Sequence, residues 1–541
     1  MTSITTKPFV GQKPGTSGLR KKVAIFKQPN YLENFVQSIF DTVPELNGGT
    51  LVLGGDGRYY NKIAIQTIIK MAAANSVKRV IIGQNGLLST PAASHIIRKY
   101  QATGGIILSA SHNPAGAQGD FGIKYNIANG GPAPAFVTDK IYTTTQTIDT
   151  YQIASFPDID LSRTGNATLG DMAVLIIDPV KDYIALMEDL FDFSAISKMI
   201  SNGFTLCFDA MHAITGPYAK AILEDKLGAA PGSVINGTPL PDFGGGHPDP
   251  NPHYAKDLFN RMFSKVAPDF GAASDGDGDR NIILGKQVYI GPSDSLAVLA
   301  ANAELVPAYK SGLQGLARSM PTSRAVDYVA KQLGLNCFET PTGWKYFGNL
   351  LDDARITLCG EESAGTSSNH IREKDGLWAV LFWLNVLAVR GESVAEILSS
   401  HWKQFGRNYY TRYDYEGVKT DNAEAVMSHV KSASTTLKGK RYDVETVSMA
   451  DSFSYHDPVD GSVAKNQGLR IEFESGSRII LRLSGTGTQD STIRVYIDRY
   501  VGPDGELSLS TQEALSDLVE IALDITNLTQ LTGYEKPSVI S

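Results

Sequence analysis

The chain has 541 residues, and at about 100–200 residues per domain this length predicts about three to five domains. An apolar share of 42% and a charged share of 20% are those of an ordinary globular protein. The net charge is −8 and the densest basic run is only Arg20-Lys21-Lys22, so the composition argues against nucleic acid as a main partner.

The cysteines and the apolar runs of the sequence indicate the cellular location of the protein. Three widely separated cysteines argue against a disulfide framework and favour a reducing, cytoplasmic location. The N-terminal residues lack the apolar core of a secretion signal. The longest apolar run, Leu377–Val389, is too short to cross a bilayer and predicts a buried helix. We therefore expect no membrane association.

Strand-like and helix-like runs alternate through the first part of the chain. In order they predict a strand at Leu51–Leu53, a helix at Ile63–Ala74, a strand at Arg79–Ile82, a helix at Pro91–Lys99 and a strand at Ile106–Leu108. This βαβαβ pattern predicts a mostly parallel sheet with helices on both faces.

The same succession of strand, polar loop and helix recurs twice. Phe204–Phe208 precedes a predicted helix at Pro217–Leu227, and Gly315–Ser319 precedes one at Arg324–Leu333. We therefore expect three related α/β units. Segments rich in Gly and Pro, such as Pro241–Pro252, predict loops.

The pattern changes after about residue 403. Antiparallel strands are predicted at Tyr409–Tyr413, Gly468–Phe473, Arg478–Leu483 and Thr492–Ile497, followed by a helix at Gln512–Leu528. This favours a separate α+β domain. The predicted fold class is therefore α/β, with four domains at residues 1–175, 176–302, 303–402 and 403–541.

Three aspartates alternate with glycines in Asp275–Arg280. In an extended loop alternate side chains point the same way, so the carboxylates of Asp275, Asp277 and Asp279 can converge. Such a cluster repels itself unless it holds a hard cation, and Mg²⁺ is the natural partner. An EF-hand is excluded because its obligatory Gly and Glu positions are Arg280 and Lys286. A solvated acidic turn is the remaining alternative.

The segment Ser109–Pro114 follows the predicted strand at Ile106–Leu108. A serine at a strand end, next to a proline that stops regular structure, is presented rather than packed. If phosphorylated, Ser111 beside a divalent ion would be a phosphoryl donor. His112 is a candidate to assist it, and a structural role for this histidine is the alternative.

Further segments suit a sugar phosphate. Arg482, Ser484, Thr486 and Thr488 surround two glycines and offer hydroxyls, backbone N–H groups and a guanidinium to a phosphate, although a glycine-rich hairpin has the same appearance. Glu361 and Ser363 suit vicinal hydroxyls, or else form a turn or helix cap. Lys374 is a candidate proton carrier, or else a surface charge.

Together these motifs resemble the α-D-phosphohexomutase superfamily, and in particular its long phosphoglucomutases. Ser-Ala-Ser-His-Asn-Pro resembles the phosphoserine loop and Asp-Gly-Asp-Gly-Asp-Arg the Mg²⁺ loop. Gly-Glu-Glu-Ser resembles the sugar-binding loop and Arg-Leu-Ser-Gly-Thr-Gly the phosphate-binding loop. The resemblance runs from Gln12–Arg20 to the last domain. Ser109 and Ala364 depart from the family pattern, and we expect neither side chain to be needed for the chemistry.

The resemblance implies a heart-shaped molecule of three similar α/β domains and a C-terminal domain like the TATA-binding protein. It implies interconversion of glucose 1-phosphate and glucose 6-phosphate through phosphorylated Ser111 and a glucose 1,6-bisphosphate intermediate. The implied Mg²⁺ ligands are Ser111, Asp275, Asp277 and Asp279; the implied catalytic residues are Ser111, His112, Lys374, Arg280 and Arg20. The implied substrate-binding residues are Thr16, Ser17, Arg20, Thr342, Gly343, Glu361, Ser363, Lys374, Arg482, Ser484, Gly485, Thr486 and Arg494.

Two other functions compete with this interpretation. One is a mutase of another hexose phosphate, in the first place mannose phosphate. The other is a non-catalytic relative, which is disfavoured because Ser111, the three aspartates and Arg482 are all present. We expect sugar phosphates as partners, a cytoplasmic enzyme, and a monomer or weak dimer.

Overall fold

The computed structural model describes residues 2–442, 445–484 and 490–541. The strands within these residues are β1 (Thr2–Thr5), β2 (Leu19–Lys22), β3 (Thr50–Gly55), β4 (Arg79–Leu87), β5 (Gly104–Leu108), β6 (Asp120–Ile127), β7 (Thr150–Ile153), β8 (Gly165–Leu169), β9 (Met172–Ile177), β10 (Leu206–Asp209), β11 (Val234–Ile235), β12 (Phe270–Ser274), β13 (Asn281–Gly285), β14 (Val288–Ile290), β15 (Leu316–Ser319), β16 (Cys337–Thr340), β17 (Leu358–Glu361), β18 (Gly365–Ser368), β19 (Arg407–Lys419), β20 (Val447–Ser452), β21 (Tyr455–His456), β22 (Val463–Ala464), β23 (Leu469–Phe473), β24 (Arg478–Ser484), β25 (Asp490–Val501) and β26 (Val539–Ile540).

The α-helices of the same residues are α1 (Val23–Phe26), α2 (Tyr31–Thr42), α3 (Asn61–Ala74), α4 (Thr90–Lys99), α5 (Ala135–Thr145), α6 (Lys181–Leu190), α7 (Phe193–Ser201), α8 (Thr215–Ala219), α9 (Lys256–Met262), α10 (Pro292–Ala301), α11 (Ala325–Leu333), α12 (Lys345–Asp352), α13 (Gly376–Arg390), α14 (Val394–Phe405), α15 (Thr420–Leu437), α16 (Thr511–Thr526) and α17 (Leu528–Thr532). Short 3₁₀ turns lie at Pro44–Leu46, Phe243–Gly245, Ala303–Leu305 and Pro307–Tyr309, and a π-helix at Lys220–Lys226.

The chain forms two compact units. The first contains the residues up to Pro292 together with Asn302–Leu313 and Gly343–Ala395, and the second contains Ser293–Ala301, Gln314–Thr342 and Glu396–Ser541. The third α/β segment of the sequence is therefore divided, with Gln314–Thr342 in the second unit and Gly343–Ala395 in the first.

The first unit opens on a seven-stranded sheet in the order β2-β6-β5-β3-β4-β9-β8. Its central strands β5, β3, β4 and β9 are parallel, and the βαβαβ pattern predicts this for β3, β4 and β5. These three are parallel because α3 and α4 provide the long crossovers that parallel neighbours need. β3 and β5 are almost wholly buried, as expected of strands covered on both faces.

A second sheet of the first unit has the order β11-β10-β12-β13-β14. β10 is parallel to β11 and β12, and β13 returns antiparallel to β12. The helix predicted at Pro217–Leu227 is partly wrong in type, because α8 begins at Thr215 and continues as the π-helix Lys220–Lys226. The hairpin from β12 to β13 carries the aspartate loop between its strands.

The predicted buried helix is α13 in the first unit. Asp375 caps its N-terminus by accepting a hydrogen bond from the N–H of Trp378, and Gly391 ends it in the left-handed region at φ 66°. Trp378 and Trp383 are fully buried. Among the described residues no single helix is long and apolar enough to span a membrane; only α13 and α14 taken together pass by length and composition.

The second unit contains the parallel pair β15 and β16 and a six-stranded sheet in the order β20-β23-β24-β25-β19-β26. The pairings within this sheet are all antiparallel. α15 and α16 pack on it through Val426, Val430, Leu515 and Leu518, against strand residues such as Ile479. The antiparallel strands and the closing helix predicted after residue 403 are therefore confirmed.

Candidate active site

Ser111 lies three residues beyond the end of β5, in the first unit. Its side chain is buried, and its Oγ donates a hydrogen bond to Asp275 Oδ2 at 2.8 Å. The backbone of Ser111 is in the left-handed region at φ 51°, which is strained for a residue other than glycine. The fold therefore presents this hydroxyl directly to the aspartate loop.

A buried clamp of Asp56, Arg58 and Ser109 holds this strained backbone. The N–H of Ser111 donates to Ser109 Oγ at 2.7 Å, and Ser109 Oγ donates to Asp56 Oδ2 at 2.6 Å. Arg58 pairs with Asp56 at 2.9 Å and donates from Nη2 to the carbonyl of Ser111 at 2.7 Å. Ser109 therefore has a structural role in the loop, because its hydroxyl joins Ser111 to Asp56. The expectation that its side chain is not needed for the chemistry stays a prediction.

The three aspartates converge, although not as an extended loop. Asp275 Oδ1 accepts hydrogen bonds from the N–H groups of Asp279 at 3.0 Å and Arg280 at 3.1 Å, so the chain wraps around this carboxylate. Gly278 allows the wrap at φ 82°. One carboxylate oxygen from each of Asp275, Asp277 and Asp279 lies within 4.8 Å of the others, and all three residues are buried.

The electrostatics of the aspartate loop suit a cation. Burial raises the pKa of Asp275, and the neighbouring carboxylates of Asp279 and Asp277 raise it further. Burial would also raise the pKa of Asp277, but Lys124 at 3.1 Å and the hydroxyl of Thr90 at 2.6 Å outweigh it and hold this pKa below its usual range.

Two oxygens of the loop identify where an ion would bind. Asp277 Oδ1 and Asp279 Oδ1 are buried without a hydrogen-bond partner, although buried polar atoms are normally paired. The cluster has only oxygen donors, which suit a hard divalent ion. The residues therefore fit a divalent metal.

Cationic side chains surround the aspartates. Lys374 Nζ lies 3.3 Å from Asp279 Oδ2, and Arg280 Nη1 lies 3.4 Å from Asp249 Oδ1. Arg20 lies on β2 and donates from Nη1 to Asn113 at 3.5 Å. Its pKa is lowered by burial, while Asp277 acts in the opposite direction. These charges suit a site that receives anions.

His112 is in contact with Ser111. Its Nδ1 lies 3.4 Å from Ser111 Oγ, which is at the outer limit of a hydrogen bond. Burial and the nearby cations Arg280 and Arg20 hold the pKa of His112 well below its usual range. These surroundings favour the neutral form of the imidazole and make it a weaker base.

The predicted sugar loop lies at the end of β17. Glu361 is the last residue of this strand rather than part of the turn, and its Oε1 accepts a hydrogen bond from the N–H of Gly343 at 2.8 Å. Burial raises the pKa of Glu361, while Lys374 acts in the opposite direction. Ser363 is half-buried in the turn between β17 and β18. Thr16 packs beside Gly343, because a Cβ built on this glycine would lie 3.0 Å from Thr16 Cγ2.

Ser17 is half-buried in the loop before β2, within the first unit. Thr342 belongs to the second unit and follows β16 by two residues. Its Oγ1 is buried without a hydrogen-bond partner.

The predicted phosphate clamp lies in the second unit. Arg482 on β24 is directly opposite Arg494 on β25, and Ser484 is opposite Thr492. Like charges placed opposite each other are destabilising, so this pair favours a bound anion. Asp414 offsets part of the repulsion at 3.6 Å from Arg494. Gly485, Thr486 and Thr488 lie outside the described residues.

Several residues of this site carry no motif that we recognised in the sequence. They are Asp56, Arg58, Thr90, Lys124 and Asp249. Asp56 and Arg58 stand in Gly54-Gly55-Asp56-Gly57-Arg58 directly after β3, and this charged, glycine-rich strand end was the available signal. The other three approach the aspartate loop only through tertiary contacts.

Comparisons with known proteins show the family. Three models of the phosphoglucomutase/phosphomannomutase alpha/beta/alpha domains match, with domain I at residues 11–152, domain II at 181–288 and domain III at 292–405. The chain therefore belongs to the phosphoglucomutase/phosphomannomutase family of α-D-phosphohexomutases.

The C-terminal residues and the full-length relatives show which branch of the family the chain belongs to. Residues 407–538 match the model of the phosphoglucomutase-1 C-terminal domain. A phosphoglucomutase of Rhizobium radiobacter is 58% identical over 539 residues, covering 100% of this chain and 99% of the relative. A probable cytoplasmic phosphoglucomutase of Arabidopsis thaliana is 51% identical, covering 100% and 99%.

A solved structure agrees as well. The exocytosis-sensitive phosphoprotein pp63/parafusin, a phosphoglucomutase of Paramecium, superposes with a TM-score of 0.93 at 49% identity, covering 100% of this chain and 99% of its own. The predicted four-domain phosphohexomutase architecture is thereby confirmed. The chain is an enzyme of the phosphoglucomutase branch, whose reaction is the interconversion of glucose 1-phosphate and glucose 6-phosphate.

Proposed function

We propose that this protein interconverts α-D-glucose 1-phosphate and glucose 6-phosphate by passing a phosphoryl group through Ser111. The observation that carries the proposal is the contact of Ser111 Oγ with Asp275 Oδ2 at 2.8 Å, within a buried cluster of three carboxylates. A hydroxyl held against a metal-binding cluster is placed for phosphoryl transfer, in which positioning and charge stabilisation do most of the catalysis.

We assign Mg²⁺ to the aspartate loop. Asp275, Asp277 and Asp279 would hold it, with an oxygen on phosphorylated Ser111 as a further ligand. Both unpartnered oxygens, on Asp277 and Asp279, support this assignment. Bound there, Mg²⁺ would neutralise the charge on the transferring phosphoryl group.

The transfer needs a proton acceptor for the substrate. In the forward direction the bond between phosphorus and Ser111 Oγ breaks, and phosphorus bonds to the free hydroxyl oxygen of glucose 1-phosphate. We assign Lys374 as the group that takes the proton of this hydroxyl and returns it to the serine oxygen. Its side chain is 10% exposed and lies 3.3 Å from Asp279. His112, in contact with Ser111, is the rival.

The intermediate is glucose 1,6-bisphosphate, and its second phosphate returns to Ser111 after the sugar turns over. A site that accepts both orientations must bind the sugar hydroxyls whose positions change least when the sugar turns over. We assign Glu361 and Ser363 to the hydroxyls at C3 and C4. Arg280 and Arg20 would stabilise the transferring group, because both are cationic side chains close to the carboxylates of the aspartate loop.

The other phosphate needs a clamp that stays fixed while the chemistry occurs elsewhere. We assign this clamp to Arg482, Ser484, Gly485, Thr486 and Arg494. The cross-strand pair of Arg482 and Arg494 supports the assignment. Thr16, Ser17, Thr342 and Gly343 complete the proposed substrate contacts.

The proposal extends to partners and location. The relatives act on sugar phosphates, and we infer a monomer or weak dimer that takes these small molecules. Relatives named cytoplasmic and others named chloroplastic both match the chain. We place this protein in the cytoplasm, with glucose 1,6-bisphosphate as its activator.

A coupled assay tests the proposal. Purified protein receives glucose 1-phosphate, Mg²⁺ and a trace of glucose 1,6-bisphosphate, and a dehydrogenase reports glucose 6-phosphate. We expect turnover that Ser111→Ala lowers by at least about 10⁴-fold, because the phosphoryl carrier is lost. Mannose 1-phosphate in place of the glucose ester gives the specificity. Full activity of Ser111→Ala would overturn the assignment.

A further inference from the structure

A chain of buried polar side chains lies next to Lys374 in the first unit. Trp378 Nε1 lies 2.9 Å from Tyr309 Oη, which lies 2.6 Å from Ser368 Oγ. Ser368 Oγ lies 2.7 Å from His370 Nδ1, and His370 Nε2 lies 3.1 Å from Asp375 Oδ2. The chain therefore ends on the residue that follows Lys374.

The direction of these hydrogen bonds is set from both ends. Trp378 Nε1 can only donate and a carboxylate can only accept, so Trp378 donates to Tyr309 and His370 donates from Nε2 to Asp375. Nδ1 of a neutral ring then accepts from Ser368, which in turn accepts from Tyr309. Burial lowers the pKa of His370, which favours the neutral ring, and the bond to Asp375 acts in the opposite direction.

Ser368, His370 and Asp375 have the order of a hydrolase triad, but their surroundings exclude that chemistry. The side chains of His370 and Asp375 are 2% and 0% exposed. Ser368 is completely buried, and the His370 ring is stacked on Trp378 with centroids 5.3 Å apart. A substrate cannot reach the serine, so the chain holds structure in place.

The structure it holds is the segment that carries Lys374. Asp375 Oδ1 accepts from Tyr183 Oη at 2.6 Å and from the N–H of Trp378 at 3.1 Å, which caps α13. The N–H of Gly376 donates to the carbonyl of Gly278 in the aspartate loop at 3.1 Å. On the other side of Asp375, Lys374 reaches Asp279.

Close packing leaves this segment little freedom. A Cβ built on Gly376 would lie 2.2 Å from the carbonyl oxygen of Arg280, and one built on Gly365 would lie 2.2 Å from Cδ of Lys374. The lysine stem therefore passes over a glycine that leaves room for it. A shift of Asp375 would move both the lysine and the contact with the aspartate loop.

We propose that His370 is a positioning residue for Lys374: through Asp375 it fixes the backbone from which the lysine reaches the aspartate loop. The proposal rests on the proposed function, because it takes Lys374 as the proton carrier. Removing the His370 ring leaves Asp375 Oδ2 without its partner and the hydroxyl hydrogen of Ser368 without its acceptor, so the segment relaxes and Lys374 moves out of position.

A double-mutant cycle tests this in the coupled glucose 1-phosphate assay. His370→Phe keeps an aromatic ring against Trp378 but removes both nitrogens. We expect it to lower kcat by about 10- to 100-fold, the cost of a misplaced catalytic group, with KM changed less than about threefold. In a Lys374→Met background the same change should lower the residual rate less than about threefold, because its effect acts through the lysine.

Two further variants separate positioning from general damage. His370→Gln can still donate an amide hydrogen to Asp375, and we expect it to recover most of the lost kcat. Tyr309→Phe is the matched control, since it removes a link farther from Lys374 and leaves His370 and Asp375 in place; its kcat should stay within about threefold of wild type.

The outcomes are distinct. Equal losses from His370→Phe in both backgrounds, with no recovery in His370→Gln, would overturn the positioning role, as would an unchanged kcat. An inactive wild-type enzyme would instead overturn the proposed function itself. Melting temperatures of all variants identify any that do not fold, and for those the comparison is made with His370→Gln, which keeps the bond to Asp375.

Discussion

Ser109 is the most informative position for testing how the fold prepares Ser111. Its hydroxyl makes two buried hydrogen bonds at once, accepting from the Ser111 N–H at 2.7 Å and donating to Asp56 at 2.6 Å. Ser109→Ala removes both and leaves the N–H of Ser111 buried without a partner. It also removes one donor from a carboxylate that is fully buried.

The magnitude follows from these two bonds. An unsatisfied buried N–H costs about 1–3 kcal/mol, and a hydrogen bond to a charged group contributes about 1.5–3 kcal/mol. Because the loop can relax partly around the alanine, we take about 2–4 kcal/mol as the total loss in the free energy of unfolding. The left-handed backbone of Ser111 adds to the tendency of the loop to move, because such strain persists only where neighbours enforce it. If half of the total appears as misplacement of the hydroxyl, kcat falls about 5- to 30-fold.

The assay compares Ser109→Ala with Ser109→Thr, which keeps the hydroxyl. We expect the alanine variant to lose both melting temperature and kcat, and the threonine variant to stay within about threefold of wild type in kcat. Equal behaviour of the two variants would refute the argument, because they differ in the hydroxyl that forms the clamp. Loss of stability without any loss of kcat would show that Arg58 alone holds the loop.

Three further predictions concern the metal, the pH dependence and the phosphate clamp. Chelator should stop turnover and Mg²⁺ restore it, and the rise in melting temperature on adding Mg²⁺ should disappear in Asp279→Asn; a rise that persists would exclude this ligand. Burial raises the pKa of Glu373 from 4.5 to about 7, against the attraction of Lys124, so the contribution of Glu373 to the free energy of unfolding falls as pH rises through that window. Glu373→Gln removes this contribution and should be more stable than wild type at pH 8 by up to about 3 kcal/mol. The difference in stability between the two proteins should be smaller at pH 5. Thermal melts in chelator measure both differences, and equal differences at the two pH values would contradict the raised pKa. Arg482→Ala should raise KM for glucose 1-phosphate by about 10- to 100-fold and change kcat less, as expected from one lost charge-assisted hydrogen bond; an unchanged KM would remove Arg482 from the clamp.

Local patterns in the sequence were sufficient for most of the fold. The runs that predicted β3, α3, β4, α4 and β5 gave the right elements, because a buried parallel sheet requires apolar strands and amphipathic crossovers. The antiparallel strands after residue 403 were predicted for the same reason. The helix at Pro217–Leu227 was wrong in detail because a π-helix differs from an α-helix by one hydrogen-bond register, which periodicity over one turn does not resolve.

The sequence by itself predicts which residues carry chemistry. Ser111, the three aspartates and Lys374 stand in short motifs whose residue types suit only a few reactions. The tertiary structure alone decided how they are held. Asp56 and Ser111 are 55 residues apart along the chain but are joined through Ser109, and Tyr183 donates to Asp375 across 192 residues of sequence. Hydrogen bonds between distant segments depend on how elements pack, and no local pattern encodes that packing.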